Sequence, residues 1–594
     1  FTNSGQALGN SNSFSVVLGD LDGDGDVDAM TGNNNQPNHV WLNNSHGVFT
    51  NSGQSLGNDD TFSLAMGDID GDGDLDAIAA NFGSSAVWVN VGKGIFINSG
   101  QALASELAQF SHCVALGDVD GDDDLDAVSA NYNEPNQVWF NESIAGSNYV
   151  IGPGFPGNIQ FFIDNILVDG DTIQLEAGTY LLDETIDTDG LAITIQGAVD
   201  KDGTPLSILD GQNSLRVMQC LNGENECTVF KDLVIQNGFT EEGGGGLFLF
   251  GYNPNSGPTM TNCWFRNNQA NTGGAIFGSV VNPPVITDCV FTENNAQTQG
   301  GALYNFSENV LTLTGCVFER NTTGERGRGG GAILNEASDL TMTGCHFRDN
   351  ATQTDGGAIA LVPIETSVPV PTNTIITLIG CTFENNSAEH GGGMYSENVL
   401  ALTLTDCTFL GNSADHGGGV YSSTSMSATD CTFTGNVAAF AGGGMYGGGS
   451  IFLEGLATLT RCLFENNSAQ LGGGINLEES DSVLTACEFI GNTAANGGGM
   501  RNSNSTPTLF DCVFLDGVGT IDCGGMLNVN SDPQLTNCIL KNNTSASTGG
   551  GLYNASSTPT LTDCTICENI PDQVWGDPIT DGGNNCIGKT CVDS

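Results

Sequence analysis

Three short stretches concentrate carboxylates at regular spacing: Asp20, Asp22, Asp24, Asp26 and Asp28; Asp68, Asp70, Asp72, Asp74 and Asp76; and Asp118, Asp120, Asp122, Asp124 and Asp126. Each follows D-x-D-x-D-G-x-x-D, except that Asp123 replaces the glycine of the third. Carboxylates at the first, third, fifth and ninth positions, with the main-chain carbonyl of the seventh, supply the hard oxygen ligands that Ca2+ takes, and the glycine permits the sharp turn. An EF-hand is excluded, because Thr31, Ala79 and Ser129 stand where its bidentate Glu would be. About three Ca2+ ions, one per loop, are expected.

Other candidate chemistry is sparse. His390 and His416 precede successive glycine triplets, and Asp406 and Asp430 occupy equivalent places in neighbouring repeats. Paired carboxylates could cleave a polysaccharide, but no nucleophile and base stand beside them in a catalytic pattern, so no catalytic residue is assigned. Cys564-Thr-Ile-Cys567 is formally CxxC, yet it lacks the βαβ setting of a redox motif.

The composition restricts what these loops can serve. With 69 Asp and Glu against 13 Lys and Arg, the net charge of -56 excludes nucleic acid as a partner and calls for cations to limit self-repulsion. No apolar run approaches the roughly 20 residues that span a bilayer. A chain of 594 residues exceeds one compact core, and 84 glycines with only 17 prolines suit many short strands joined by tight turns.

Two repeats position the acidic loops and the rest. The first has a period of about 48 residues: FTNSGQALG at Phe1 returns as FTNSGQSLG at Phe49, and VWLN at Val40, VWVN at Val87 and VWFN at Val138 mark equivalent places. After each loop the sequence alternates like a strand (DAMTGN, DAIAAN, DAVSAN). The second repeat, of about 26 residues, has the form C-x-F-x-x-N with a glycine triplet. Its cysteines are Cys263, Cys289, Cys316, Cys345, Cys381, Cys407, Cys431, Cys462, Cys487, Cys512, Cys538 and Cys564. Such register implies stacked coils, with cysteine and phenylalanine pointing inward as ladders and neighbouring thiols too far apart for a disulfide. Asn is expected to take the left-handed conformation at a turn while its amide bonds to copies above and below. Glu293, Arg320 and Asp349, and Glu319, Arg348 and Glu384, should form ladders of alternating sign outside. Ile159, Phe162, Ile163 and Ile166 have helical spacing ahead of the first coil. Cys220 with Cys227, and Cys586 with Cys591 or Cys567, are close enough in sequence to staple loops.

On these motifs the three N-terminal units resemble FG-GAP or VCBS repeats, the calcium-binding blades of integrin-type β-propellers. That resemblance implies one Ca2+ per blade, bound through Asp20, Asp22, Asp24 and Asp28 and their equivalents. The helix and alternating strands from about residue 157 resemble the opening of pectin-lyase-like β-helices, where a helix caps the first coil. The FxxN and GGA[IL] pairs, at Gly273, Gly300, Gly330 and Gly356, resemble repeats of chlamydial polymorphic outer-membrane proteins, and the stretch from Asp572 resembles the last coil of secreted bacterial β-helix proteins. β-Helical lyases pair calcium-binding acids with a basic residue, and hydrolases cluster aspartates with His and Arg-x-Lys; neither set stands out here.

The expected fold is therefore all-β: a partial propeller of three blades over residues 1–145, a linker over 146–157, and a right-handed parallel β-helix over 158–594 behind a capping helix. The expected function is a non-catalytic extracellular or cell-surface protein of bacterial secreted type, calcium-binding, adhesive or self-assembling into a filament or layer. The alternative is a secreted polysaccharide-binding or pectate-lyase-like enzyme. Closed propellers have about four to eight blades, so either further blades precede Phe1 or the three form an open arc whose edges another chain covers. Head-to-tail docking of residues 1–145 on the β-helix of the next subunit, or a surface glycan or protein, would cover its edges.

Overall fold

A computed structural model describes residues 3–69, 74–90, 93–103, 111–121, 124–141, 148–153, 159–165, 167–222, 224–251, 257–280, 284–306, 310–325, 327–363, 372–448 and 456–590. The chain divides into two compact units, Phe1–Ser147 with Val168–Asp171, and Asn148–Leu167 with Thr172–Ser594.

In the first unit, the 48-residue repeat becomes three antiparallel sheets. Strands Ser13–Gly19, Asp28–Asn33, His39–Asn43 and Phe49–Asn51 form the first blade; Thr61–Gly67, Asp76–Asn81, Ser85–Asn90 and Phe96–Leu103 form the second. The third has Ser111–Gly117, Asp126–Asn131 and Gln137–Trp139. The second strand of the first two blades is buried at every residue, with a paired strand on each side. One core joins the first blade to the second through Leu21, Met30, Val40 and Leu64. Another joins the second to the third through Ile69, Ile78, Val87 and Val114.

The second unit is a parallel β-solenoid whose three long sheets have 17, 16 and 15 strands. Every coil adds one strand to each sheet, so equivalent residues pair in register: Phe291 with Phe318, Phe318 with Phe347, and Phe347 with Phe383. Helix Ile159–Asn165 stands at the start, with Ile159, Phe162 and Ile163 in the solenoid core. Ile166 lies outside the described residues. Strand Asn148–Ile151 pairs with Thr172–Leu175, so the solenoid begins inside the stretch expected as a linker.

The inward ladders follow the repeat. Phe265 to Phe514 stack face to face, with ring centroids 4.4 Å apart between Phe489 and Phe514 and 5.0 Å between Phe265 and Phe291. This matches the ~4.8 Å rung spacing. The twelve repeat cysteines are buried and free, and their thiols donate to main-chain carbonyls, as Cys316 does to Ile286 and Thr314. Cys381 and Cys407 are pushed up to about 12, each by its bond to the preceding rung's thiol and further by burial. The alternating charges also pair outside, Arg320 with Glu293 at 3.0 Å and Arg348 with Glu319 at 2.8 Å.

Two expectations are corrected. The ladder asparagines are not the left-handed residues. Positive φ falls on the residue before each one, such as Glu293, Arg320 and Asp349, and on the residue before each cysteine, such as Asp288, Asp406 and Asp430. The asparagines themselves are fully buried, because their amides satisfy main-chain groups inside the turn: Asn386 donates to Phe347 O and to Asn412 Oδ1, while its Oδ1 accepts Asn350 N and Nδ2. Cys220 and Cys227 are not bridged either, since Cys220 lies in the core and Cys227 is exposed. Cys586 is free, Cys567 is disulfide-bonded, and Cys591 lies outside the described residues.

Alkylation of the native protein should modify Cys113 and Cys227, which are exposed, while the twelve ladder thiols react only after unfolding; mass spectrometry with and without denaturant measures this. Asn386→Ala should cost about 1–3 kcal/mol by orphaning several buried groups at once. Hydrogen exchange around Phe347 and Asn350 should rise, and unchanged protection there would contradict a structural role for the amide column.

Candidate metal centre

The acidic loops connect the first and second strands of each blade, and their ninth position is the best-defined part. Asp28 is fully buried and accepts Leu21 N at 2.9 Å and Asn43 N at 2.7 Å. Asp76 repeats this with Ile69 N and Asn90 N, and Asp126 with Val119 N and Asn141 N. The amide hydrogen bonds from Asn141 and then Val119 hold the Asp126 carboxyl below the usual carboxylate range. One carboxylate thus ties the start of the loop to the end of the third strand.

The first position shapes the turn. Asp20 Oδ1 accepts Gly23 N at 3.0 Å and Oδ2 accepts Gly25 N at 2.9 Å, with both glycines at positive φ. Carboxylate oxygens of Asp20, Asp22 and Asp28 lie within 4.8 Å of one another, and so do those of Asp118, Asp120 and Asp126. Two oxygens bound at 2.3–2.6 Å to one Ca2+ can be at most about 5 Å apart, so both sets fit such an ion. Burial raises the Asp22 carboxyl, and the charges of Asp28, Asp24 and Asp20 add to this against the Asp24 amide hydrogen bond. A cation between these groups would relieve that repulsion.

Not every expected residue joins the clusters. Asp24 Oδ1 accepts Asp26 N at 2.9 Å, and the Asp26 carboxylate takes the Ser45 hydroxyl, which leaves the seventh position its main-chain carbonyl. In the third loop Asp124 stands outside the converging set. In the second loop Asp68, Asp74 and Asp76 are described, while Asp70 and Asp72, like Asp122 and Asp123 of the third, lie outside the described residues.

The family model for FG-GAP-like repeats matches residues 20–79 and 68–129. The model for the right handed beta helix region matches residues 288–438 and 420–587, which together span just over half of the 594 residues. The chain belongs to the right-handed β-helix family. No curated protein matches it. Among solved structures, a mannuronic acid specific polysaccharide family 6 lyase from the human gut microbiota shares 12% identity over 70% of this chain and 86% of its own, with a TM-score of 0.34. The A-module of the mannuronan C-5 epimerase AlgE4 of Azotobacter vinelandii shares 11% over 70% of this chain and 89% of its own, at 0.24. The receptor binding domain of the siphovirus 9NA tailspike shares 10% over 75% and 77%, at 0.25. Identity and TM-score this low say nothing about chemistry.

On the β-helix the equivalent groups singled out by sequence have distinct surroundings. Asp430 holds Arg461 through two 2.6 Å bonds in an exposed ion pair. His390 Nδ1 lies 2.8 Å from Asp355 Oδ1, and its ring stacks 5.6 Å from that of His416. Beside them Tyr395, Tyr421 and Tyr446 stack at 5.1 and 4.9 Å, a column that sequence reading missed because Tyr follows the glycine triplet in only some coils. Tyr395 and Tyr446 donate to Glu397 and Glu478. Among the described residues, no helix is long and apolar enough to cross a membrane.

The hydrogen bond to Asp355 raises the His390 pKa against the effect of burial, whereas burial and then the charge of His390 lower that of His416. Two imidazole titrations by NMR should therefore fall on either side of the ordinary ~6.5, and Asp355→Asn should bring the upper one down. Because the folded pKa of His390 is raised, the stabilisation from its pair with Asp355 is complete below about pH 6.5 and is lost as pH rises through the raised value. Coincident titrations, or no response to the substitution, would refute the pairing.

Proposed function

We propose that the chain is a non-catalytic, extracellular surface or structural protein in which Ca2+ organises the N-terminal blades, the β-helix serves as a rigid rod, and copies associate head to tail. The convergence of three carboxylates in both the first and the third blade, on one repeated main-chain clamp, carries the calcium part of this reading. Its residues are Asp20, Asp22, Asp24 and Asp28 with the seventh-position carbonyl, and their equivalents. Bound Ca2+ would neutralise charge and fix the turn. The continuous ladders of buried Cys, Phe and Asn support the rod, because every coil is tied to the next by the same contacts.

A second reading is favoured by the half-buried Tyr421 and Tyr446 beside carboxylates, since their ring edges and hydroxyls, stacked in one column, offer a row of hydrogen-bonding groups to a polysaccharide. With a net charge of -56, the fitting ligand is a neutral polysaccharide rather than a polyuronate.

Titration calorimetry should find about three Ca2+ sites, with one lost in Asp28→Asn. Removing Ca2+ with EGTA should open residues 1–145 to proteolysis while the β-helix stays resistant. Identical digestion and melting with and without EGTA would defeat the calcium reading; on a glycan array, loss of a neutral-glycan signal in Tyr421→Ala would establish the second reading.

A further inference from the structure

The contact between blades occurs twice inside the N-terminal unit, and the same residues recur, exposed, on the outer faces of the end blades. Leu64 packs the second blade on the first, and Val114 packs the third on the second; each is about 5% exposed. Their equivalent in the first blade, Val16, is 59% exposed. On the opposite side, Leu21, Met30 and Val40 and then Ile69, Ile78 and Val87 are buried between blades, whereas Val119, Val128 and Val138 of the third blade are 51%, 36% and 48% exposed.

Steric detail repeats in the same way. Leu75 sits where a Cβ on Gly19 would be, and Leu125 where one on Gly67 would be, so each blade inserts a leucine over the preceding blade's glycine. Gly117 of the third blade has nothing within 4 Å of that position. Val27, the equivalent of the inserted leucines, is 52% exposed on the first blade. The polar part repeats too: Asn90 Nδ2 donates to Leu21 O and Asn141 Nδ2 to Ile69 O, each at 2.9 Å across a blade boundary, while Asn43 donates to Val27 O in its own blade. Along the first strands, Phe62 stacks 5.6 Å from Phe14 and 4.7 Å from His112, and Phe14 is 52% exposed.

We propose that the third blade of one copy docks on the first blade of a second copy and re-forms this internal contact. The proposal rests on the self-association read above and places the contact between blades instead of on the β-helix. Val27 seats over Gly117 of the second copy, Val16 packs against Val119, Val128 and Val138, and Asn43 donates to Val119 O. The occupant is another copy of this chain because both halves of a contact the chain already makes twice are present on it, hole on one face and knob on the other. The contact is heterologous, with different patches meeting. Two copies bring six blades, within the range of about four to eight that close a propeller, so the expected species is a closed dimer. At a net charge of -56, association is favoured at ~0.15 M salt or above, where the Debye length is about 8 Å.

Sedimentation of the 594-residue chain in calcium-containing buffer at that salt tests this. Wild type should have twice the chain mass. Val16→Asp and Val128→Asp, which alter residues exposed in the single copy, should keep the wild-type circular dichroism yet weaken association at least about 100-fold. Mixing them should restore dimers, since each variant retains the face the other lacks. A monomeric wild type would overturn both the proposal and the self-association reading, and would mean that other segments cover these faces. A wild-type oligomer that persists in both single variants would overturn the proposal alone, leaving self-association through another surface.

Discussion

One buried amide per coil sets the axial register of the β-helix. In the column from Asn268 to Asn569, an asparagine Oδ1 accepts both N and Nδ2 of the preceding asparagine, and Nδ2 also donates to the carbonyl of the Phe one coil earlier; Asn294 thus donates to Asn321 Oδ1 and to Phe265 O. A slip of one residue along any strand would orphan these groups and reverse every inward side chain. The phenylalanine stack, the thiol ladder and the left-handed residues on either side of the C-x-F strand are all placed by that register. Where Gly517 replaces the amide, its main-chain N–H still donates to Asn543 Oδ1, so the column loses one member without losing alignment.

The periodic part of the fold was legible because one coil repeats the same physical problem, and Cys263 and its successors answer it identically. Less was legible where the solution is local. Which residue of the turn carries positive φ could not be read from Asn alone, because Glu293, Arg320 and Asp349 take it at the cost of a strained backbone while the conspicuous asparagine takes the buried hydrogen bonds. Strand Asn148–Ile151 has no repeated signature and was passed over, although it pairs with the first full coil. Nearness in sequence suggested a Cys220–Cys227 bridge, but burial of one thiol and exposure of the other decide against it.

For the acidic loops, spacing told which residues could converge, and the structure adds why the clamp stands at the ninth position. That residue begins a fully buried strand in the first two blades, so its carboxylate must be satisfied by main-chain amides, and Leu21 N at the start of the loop and Asn43 N at the end of the third strand do so. The tyrosine column gave no such signal, because it interrupts the repeat with Leu334 and Ala360 at the equivalent register.

The loops also bear on the packing of blades, through their second position. Leu21 and Ile69 stand between two loop carboxylates in sequence, yet their side chains enter the cores that join one blade to the next, and their carbonyls accept the Asn90 and Asn141 amides across the same boundaries. Holding the loop in one conformation therefore holds an inter-blade core residue and an inter-blade hydrogen bond in place together. Repulsion among Asp20, Asp22 and Asp28 acts directly against that arrangement, since relaxing the loop to separate the charges would withdraw Leu21 from its core. A cation at the first loop would favour contact between blades for the same reason that it favours the turn, which couples ion binding to blade stacking without any ligand shared between blades.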